Sequence, residues 1–471
     1  MTEILTAYSL VAFFYFLVLN GLYLFLTALA WRDMGSELRA RRYLALDEVF
    51  RSPLTPGVSV IVPAFNEQAV IVDSVRSLLA LRYPRHEVVV VSDGSTDRTI
   101  SVLEEEFELA PVRVALRNGI STAAVRATYV SRTHPNLLVV DKENGGRSDA
   151  LNAGVNAARN PYVCVIDADS MLEPDALLKV SKPILDDPQL LAATGGTIRI
   201  VNSCGVDYGR VVDVRAPRSR LATIQVLEYL RAFLVARVGW SSLNALGIIS
   251  GAFGLFHRSL VEAAGGYWKD TVGEDFELTI RIHRHLRERG EPYRIGFVSD
   301  PVCWTEVPEQ FSTLSRQRRR WQRGLWEGVR RHRRMIGNPR YGVIGLVAMP
   351  YFLIFEFLSP VFALTGLLIT VVWWILGGLS TFYFIAFLLV SIGLGLLLTT
   401  AALALEEFNY HRYHRRRDVA RLLAYAVFEN LGYHQLHDVW RAIGYLDIAR
   451  GKTGWGAQPR RGFGTSTDPL A

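Results

Sequence analysis

Two stretches of this chain carry almost no charge, and they restrict its folding more than any other feature. From Ala7 to Trp31 no charged residue occurs in 25 positions, and from Tyr341 to Leu405 the only charge in 65 is Glu356. At 1.5 Å per residue the first run is long enough, as a helix, to cross a hydrocarbon layer of about 30 Å. The second has length for at least two crossings with a remainder, which Pro350 and Pro360 are expected to break into an interfacial or re-entrant piece. A composition of 50% hydrophobic residues agrees with a chain partly in lipid. A cleaved signal peptide would need basic residues ahead of the apolar run and small ones closing it, whereas Glu3 precedes and Trp31-Arg32 follows.

The arginines set the orientation. The runs Arg32 to Arg42, Arg316 to Arg340 and Arg412 to Arg421 must face one side, the cytoplasmic one. The expected order is a membrane helix over 1–35 with the N-terminus outside, a cytosolic domain over 52–335, and membrane helices over 341–405. A cytosolic basic loop with an amphipathic, membrane-associated helix follows over 406–450, and a disordered tail over 451–471, in the inner (plasma) membrane. The net charge of +7 gathers at these edges, where anionic membrane lipids account for it, so no nucleic-acid partner is expected. Cys164, Cys204 and Cys303 are widely spaced without a CxxC pair, which reads as reduced core thiols.

Between the apolar regions, short β-rich runs alternate with helical ones, the pattern of an α/β fold with a mostly parallel sheet. VSVIVPA (58–64), EVVVVSD (87–93), NLLVVDK (136–142) and YVCVIDAD (162–169) are continuous apolar strands, each stopping at polar residues. Ligands bind such sheets at the carboxyl ends of the strands, and here those ends collect Glu67, Asp93, Lys142, Asp167 and Asp169 on one edge. DGSTDRT also reads as a turn and helix cap using Ser95, Thr96 or Asp97, and Glu274 and Asp275 also suit the first turn of a helix for dipole reasons alone. DAD is harder to read as structure. Two carboxylates at period two on an extended strand share a face and repel unless a cation lies between them; a hard, oxygen-liganded ion such as Mg²⁺ or Mn²⁺ with a diphosphate fits. QRRRWQRG (317–324), with Arg316, packs five arginines and a tryptophan into nine positions. Its arginines suit either phosphate or anionic lipid, and Trp321 either the face of a sugar ring or the membrane interface, while Arg330 to Arg334, beyond it, read as a lipid-facing collar. Glu356, alone in its apolar run, reads either as lining a polar path or as interfacial.

In order, VIVPAFNE (60–67), SDGSTDRT (92–99), DKENGGRSDALNAG (141–154), DADS (167–170), SGAFGLF (250–256), GEDFELT (273–279) and QRRRW (317–321) resemble the membrane-embedded family 2 glycosyltransferases. That group includes the cellulose, chitin, hyaluronan and poly-N-acetylglucosamine synthases. The resemblance implies a GT-A fold beside an α-helical transmembrane region. It implies inverting, metal-dependent transfer from a UDP-sugar, N-acetylglucosamine or glucose first, to a growing β-linked polysaccharide exported through the enzyme's own helices. It also implies the roles. Asp93 contacts uridine, and Glu67, Lys142, Arg147 and Arg320 join the nucleotide-sugar site. Asp167 and Asp169 hold nucleotide and metal, Asp275 is the general base with Glu274 its rival, and Gln317 and Trp321 meet the acceptor. Gly273 stands where the family's TED motif has threonine, and Arg147 where relatives often carry lysine. A single transfer to a glycolipid acceptor, and a receptor that binds a sugar nucleotide without turnover, are the competing readings.

Overall fold

The computed structural model describes residues 2–41, 50–452 and 454; the remainder of the expected tail, from 455 onward, lies outside them. The described residues divide into two compact units. One takes 2–38, 216–243 and 308–454 and is helical. The other takes 39–41, 50–215 and 244–307 and carries the sheet. The sequence reading drew one domain over 52–335, whereas this division gives 216–243 and everything from 308 to the helical unit.

In the sheet unit the strands are β1 Val58–Ala64, β2 His86–Asp93, β3 Leu109–Pro111, β4 Val125–Ser131, β5 Leu137–Lys142, β6 Tyr162–Val165, β7 Ser170–Leu172, β8 Leu191–Ile200, β9 Gly205–Asp207, β10 Arg210–Asp213, β11 Gly254–His257 and β12 Arg294–Thr305. Among the described residues, ten of them form one mixed sheet in the order β3-β4-β5-β2-β1-β6-β11-β8-β12-β7, and β9 and β10 pair as a separate hairpin. Its centre, β5-β2-β1-β6, is parallel, as is the long β8/β12 ladder, so most paired residues are parallel. Antiparallel strands flank the parallel block. Parallel strands are covered on both faces and therefore read as unbroken apolar runs; β1 is VSVIVPA, buried almost throughout. The helix Arg147–Ala157 lies on β1 and β2. Gly154 allows that approach, because a Cβ there would run into the Ile61 side chain.

One expected strand is shorter than its apolar run. YVCVIDAD was read as extended to Asp169, but β6 stops at Val165 and a turn follows, closed by Ser170 N–H on the Asp167 carbonyl at 3.0 Å. The period-two argument for Asp167 and Asp169 therefore fails. A turn, not a pleat, aims the two carboxylates, leaving Asp167 partly exposed and Asp169 buried.

In the helical unit, Thr2–Gly35 and Thr381–Asn409 are each long and apolar enough to cross a membrane. Ile344–Phe357 and Ser359–Ile375 form a third span or a re-entrant piece, bent by 50° between them. Large apolar side chains such as Phe14, Val18, Phe25, Leu368, Ile375, Phe382 and Leu389 are exposed on these helices, a surface suited to lipid and not to water.

The bend follows from Pro360, which has no N–H to donate to the carbonyl of Glu356. Arg441 Nη2 donates to that carbonyl instead. Val361 N–H turns to Leu358 O at 3.0 Å, and the freed carbonyl of Phe357 accepts from Gln322 Nε2 at 2.8 Å and from Tyr445 Oη. The Glu356 carboxylate is held by Tyr351 Oη at 2.7 Å and Tyr23 Oη at 3.4 Å, with Arg441 at 3.6 Å. Within this unit the lone acid of the apolar run thus belongs to a clasp around the bend. The region 420–449 forms two helices, Arg416–Phe428 and His434–Ala449, separated where Leu431 and Gly432 leave helical geometry. The second packs along Phe311–Arg331.

Candidate active site

The ends of β1 and β2 are laced together by side chains. Asn66, at φ +56, accepts from Thr96 N–H at 2.8 Å and Asp97 N–H at 3.3 Å. Asp97 Oδ1 accepts from Thr99 N–H at 2.9 Å and Oδ2 from Gln68 N–H at 3.2 Å. The backbone of Glu67 joins the same knot through Thr99 Oγ1 at 2.9 Å. Of the three residues expected to cap the helix, Asp97 accepts its first amide, Thr99 N–H, but the N-cap position itself is Arg98, whose side chain makes no capping bond. Gly94 turns the chain at φ +71, with the backbone of Asn144 too close for any Cβ.

Behind this edge lies a chain of buried charge. Asp93 Oδ1 accepts from Gly145 N–H at 3.0 Å and from Lys142 Nζ at 2.5 Å, and Oδ2 from Gly146 N–H at 2.8 Å. Lys142 has no side-chain exposure; its ammonium is shared among Asp93, Asp149 at 2.7 Å and the Glu143 carbonyl at 2.6 Å. The sequence places Lys142 in the nucleotide-sugar site; the structure turns its side chain inward as a bridge between two acids. Asp149, also fully buried, accepts from Ala123 N–H at 3.0 Å and pairs with Lys269. Burial alone would raise the Asp149 pKa, but the two lysines and the Ala123 amide hold it below the usual carboxylate range.

The segment GGYWKDTVG (265–273) is clamped. Asn152 exchanges hydrogen bonds with Tyr267 N–H at 2.7 Å and Tyr267 O at 2.8 Å. Arg281 donates to the carbonyls of Ala264 and Gly266, and Lys269 reaches Asp149. The clamp fixes the start of the helix Glu274–Arg289. Asp149, Asn152 and Lys269 escaped the sequence reading because motif spacing does not reveal which polar side chains meet in the interior.

At the sheet edge three motifs meet on one guanidinium. Arg147, the first residue of its helix, pairs through Nη2 with Asp167 and through Nη1 with Glu274, and donates to Gly251 O at 3.0 Å. Gly251 N–H in turn donates to Asp275 Oδ2 at 3.3 Å, while Phe276 N–H holds Oδ1 at 2.7 Å. A Cβ on Gly251 would lie 2.9 Å from Arg147 Nη2. Burial works against the Arg147 charge, yet Asp167 beside it and Asp275 nearby raise its pKa above the ordinary value. Glu274 is buried by this pairing and Asp275 is half-buried, a difference that favours Asp275 as the acid able to meet a ligand.

Asp167 and Asp169 supply hard oxygen donors of the kind Mg²⁺ and Mn²⁺ take. Among the described residues no three Asp, Glu, His or Cys side chains form a cation cage. An ion on the two aspartates would complete its shell from a diphosphate and water, and the hold of Asp167 on a guanidinium shows that the edge attracts positive charge.

In the helical unit, Phe311–Arg331 carries the arginine run. Arg318 pairs with Glu228 at 2.7 Å and lies 4.3 Å over the Trp321 ring, and Arg319 makes a two-pronged pair with Asp447. Arg323 donates to Lys452 O at 2.6 Å. Arg320 is buried, Gln317 half-buried, and Trp321 is 43% exposed. Arg330, Arg333 and Arg334 are exposed.

Residues 56–324, more than half of the chain, match the family described as Glycosyltransferase like family 2. The chain belongs to that family. This family 2 chain is 27% identical over 308 residues to the poly-beta-1,6-N-acetyl-D-glucosamine synthase of Staphylococcus aureus strain COL, covering 65% of the chain and 61% of that protein. To the synthase of the same description from Staphylococcus epidermidis it is 28% identical over 269 residues, covering 57% and 54%. The chain thus spans roughly three fifths or less of the length of these curated relatives. Among solved structures, a mannosyltransferase from Pyrobaculum calidifontis in complex with GDP-Man and Mn²⁺ is similar at 21% identity and a TM-score of 0.48, covering 88% of this chain and 99% of that one.

Proposed function

We propose that this chain is an inverting, metal-dependent glycosyltransferase that moves a sugar from a UDP-sugar, UDP-N-acetylglucosamine or UDP-glucose, to a growing β-linked polysaccharide. The sheet unit works at the cytoplasmic face of the inner membrane, and the helices sit among membrane lipids and export the product. The observation that carries this reading is the convergence of the DAD, GED and SGAF segments on Arg147. Such an edge gathers carboxylates for a cation and a base beside a guanidinium for phosphate. The kinship with poly-N-acetylglucosamine synthases supports the polymer as product.

The residues divide the chemistry as follows. Asp93, fixed by Lys142 and two glycine amides, presents a rigid rim to the uridine, and Glu67 stands beside it on the same edge. Asp167 and Asp169 would hold Mg²⁺ or Mn²⁺, which when bound would supply positive charge for a leaving diphosphate. The Arg147 fork offers phosphate oxygens further donors, stronger in a water-poor site than in bulk, and Arg320 keeps the nucleotide-sugar role that its motif implies. Asp275 removes the acceptor hydroxyl proton as that oxygen attacks the anomeric carbon, a contribution of about 10²- to 10⁴-fold. Glu274, held by Arg147, keeps the guanidinium in place. Gln317 and Trp321 keep the acceptor role of the QxxRW motif.

The test is UDP release by the purified chain across a panel of UDP-sugars with Mg²⁺ or Mn²⁺. A polymer ladder as product supports the synthase, a single labelled glycolipid points to one transfer, and binding without release would make the chain a receptor.

A further inference from the structure

We propose that Arg147 is a resident counter-cation for the catalytic carboxylates, so that a divalent ion entering at Asp167 has to win that carboxylate from the guanidinium. The inference rests on the donor-site reading above. It goes further by naming an internal competitor for the metal position.

The geometry is specific to arginine. One planar fork places Nη1 on Glu274 and Nη2 on Asp167 and the Gly251 carbonyl, joining segments far apart in the chain. An ammonium is a single point of charge on a flexible stem and cannot span the two acids in this way. The side chain is largely enclosed, with 14% of its surface exposed, so water does little to weaken either pair. Arg147 also opens its own helix, where the backbone dipole disfavours a cation; the acids are what hold its charge there.

Charge bookkeeping gives the consequence. Asp167, Glu274 and Asp275 bring three negative charges against one guanidinium, so the edge keeps an appetite for further positive charge. Asp167 cannot give the same oxygen fully to both the guanidinium and a metal ion. A metal that arrives alone must displace Nη2 and lose the Arg147–Asp167 attraction. A metal that arrives with a diphosphate brings oxygens onto which the guanidinium can move. Arg147 thereby makes the cation site weak for bare metal and favours metal delivered with nucleotide.

The experiment measures Mn²⁺ binding to the full-length, detergent-solubilised chain by electron paramagnetic resonance, without nucleotide. Arg147→Met is expected to bind Mn²⁺ tenfold or more tightly than the wild type, and Arg147→Lys to fall between. Adding Asp167→Asn to Arg147→Met should abolish the gain. Equal or weaker binding by Arg147→Met overturns the proposal, and so does a gain that survives Asp167→Asn. If Arg147→Met does not fold, Arg147→Lys decides: binding no tighter than wild type overturns it. The readout needs no turnover, so absence of UDP release by the wild type would count against the proposed function and leave this comparison standing.

Discussion

Replacing Lys142 by methionine separates two occupations for this residue, a phosphate ligand or a buried strut. Its ammonium lies 2.5 Å from Asp93, 2.7 Å from Asp149 and 2.6 Å from the Glu143 carbonyl, with no exposed side-chain surface. Methionine fills similar space but leaves two buried carboxylates facing each other without their shared cation. Removing one partner from a buried ion pair costs about 3–5 kcal/mol. Asp93 keeps the amides of Gly145 and Gly146, and Asp149 keeps Ala123 N–H and Lys269, so the low end of about 3 kcal/mol applies here. For a unit of this size that is roughly 6–12 °C in melting temperature. The assay is thermal unfolding of the solubilised protein by intrinsic fluorescence, alongside the donor KM of the folded fraction measured cold. Adding Asp149→Asn to Lys142→Met should recover part of the loss, because it removes one of the opposed charges. A melting temperature within 2 °C of wild type together with a donor KM raised roughly tenfold (1.4 kcal/mol) would show that Lys142 reaches the ligand and that the buried-strut reasoning is wrong.

Two further outcomes follow from the interior of each unit. His283 is buried between Tyr293 Oη at 2.7 Å and Leu246 O at 3.0 Å, and burial lowers its pKa from 6.5 to about 4. The unfolded chain then binds the extra proton between those values, so the stability from neutral His283 is complete above pH 6.5 and is lost as pH falls toward 4, reaching about 3 kcal/mol. Melting curves of wild type and His283→Gln across this range should converge at low pH; parallel curves would remove His283 as the cause. Arg441→Met leaves the Glu356 carbonyl without its donor beside Pro360 and should lower the stability of the helical unit by about 1–3 kcal/mol, read as a fall in melting temperature in detergent. An unchanged melting temperature would mean that the clasp does not hold the bend.

Much of the sheet was legible because its signal is local. VSVIVPA is β1 residue for residue, and the second and third apolar runs each match a strand to within one residue, since parallel strands covered on both faces must be apolar throughout. The two isolated apolar regions likewise declared helices of membrane length. What failed to show depends on contacts between distant residues. The run into DAD looked extended because nothing local distinguishes a strand from the turn that ends β6. Lys142 looked available because a motif shows that a lysine is present, not which way it points. The clamp on GGYWKDTVG uses Asp149, Asn152 and Arg281, from helices before and after it, and no local pattern in the segment shows those partners. Pro360 announced a break, but the donors that satisfy its freed carbonyl come from Arg441, 81 positions onward in the chain.

The most direct measurement of the central claim is UDP release and UDP-sugar binding by the purified chain and its Asp275→Asn variant, with Mn²⁺ present. The account expects the wild type to release UDP, and the variant to bind the donor within a few-fold of wild type while its kcat falls by about 10²- to 10⁴-fold. Undiminished release by Asp275→Asn would contradict it, because the acid proposed as the general base would then have no part in the reaction.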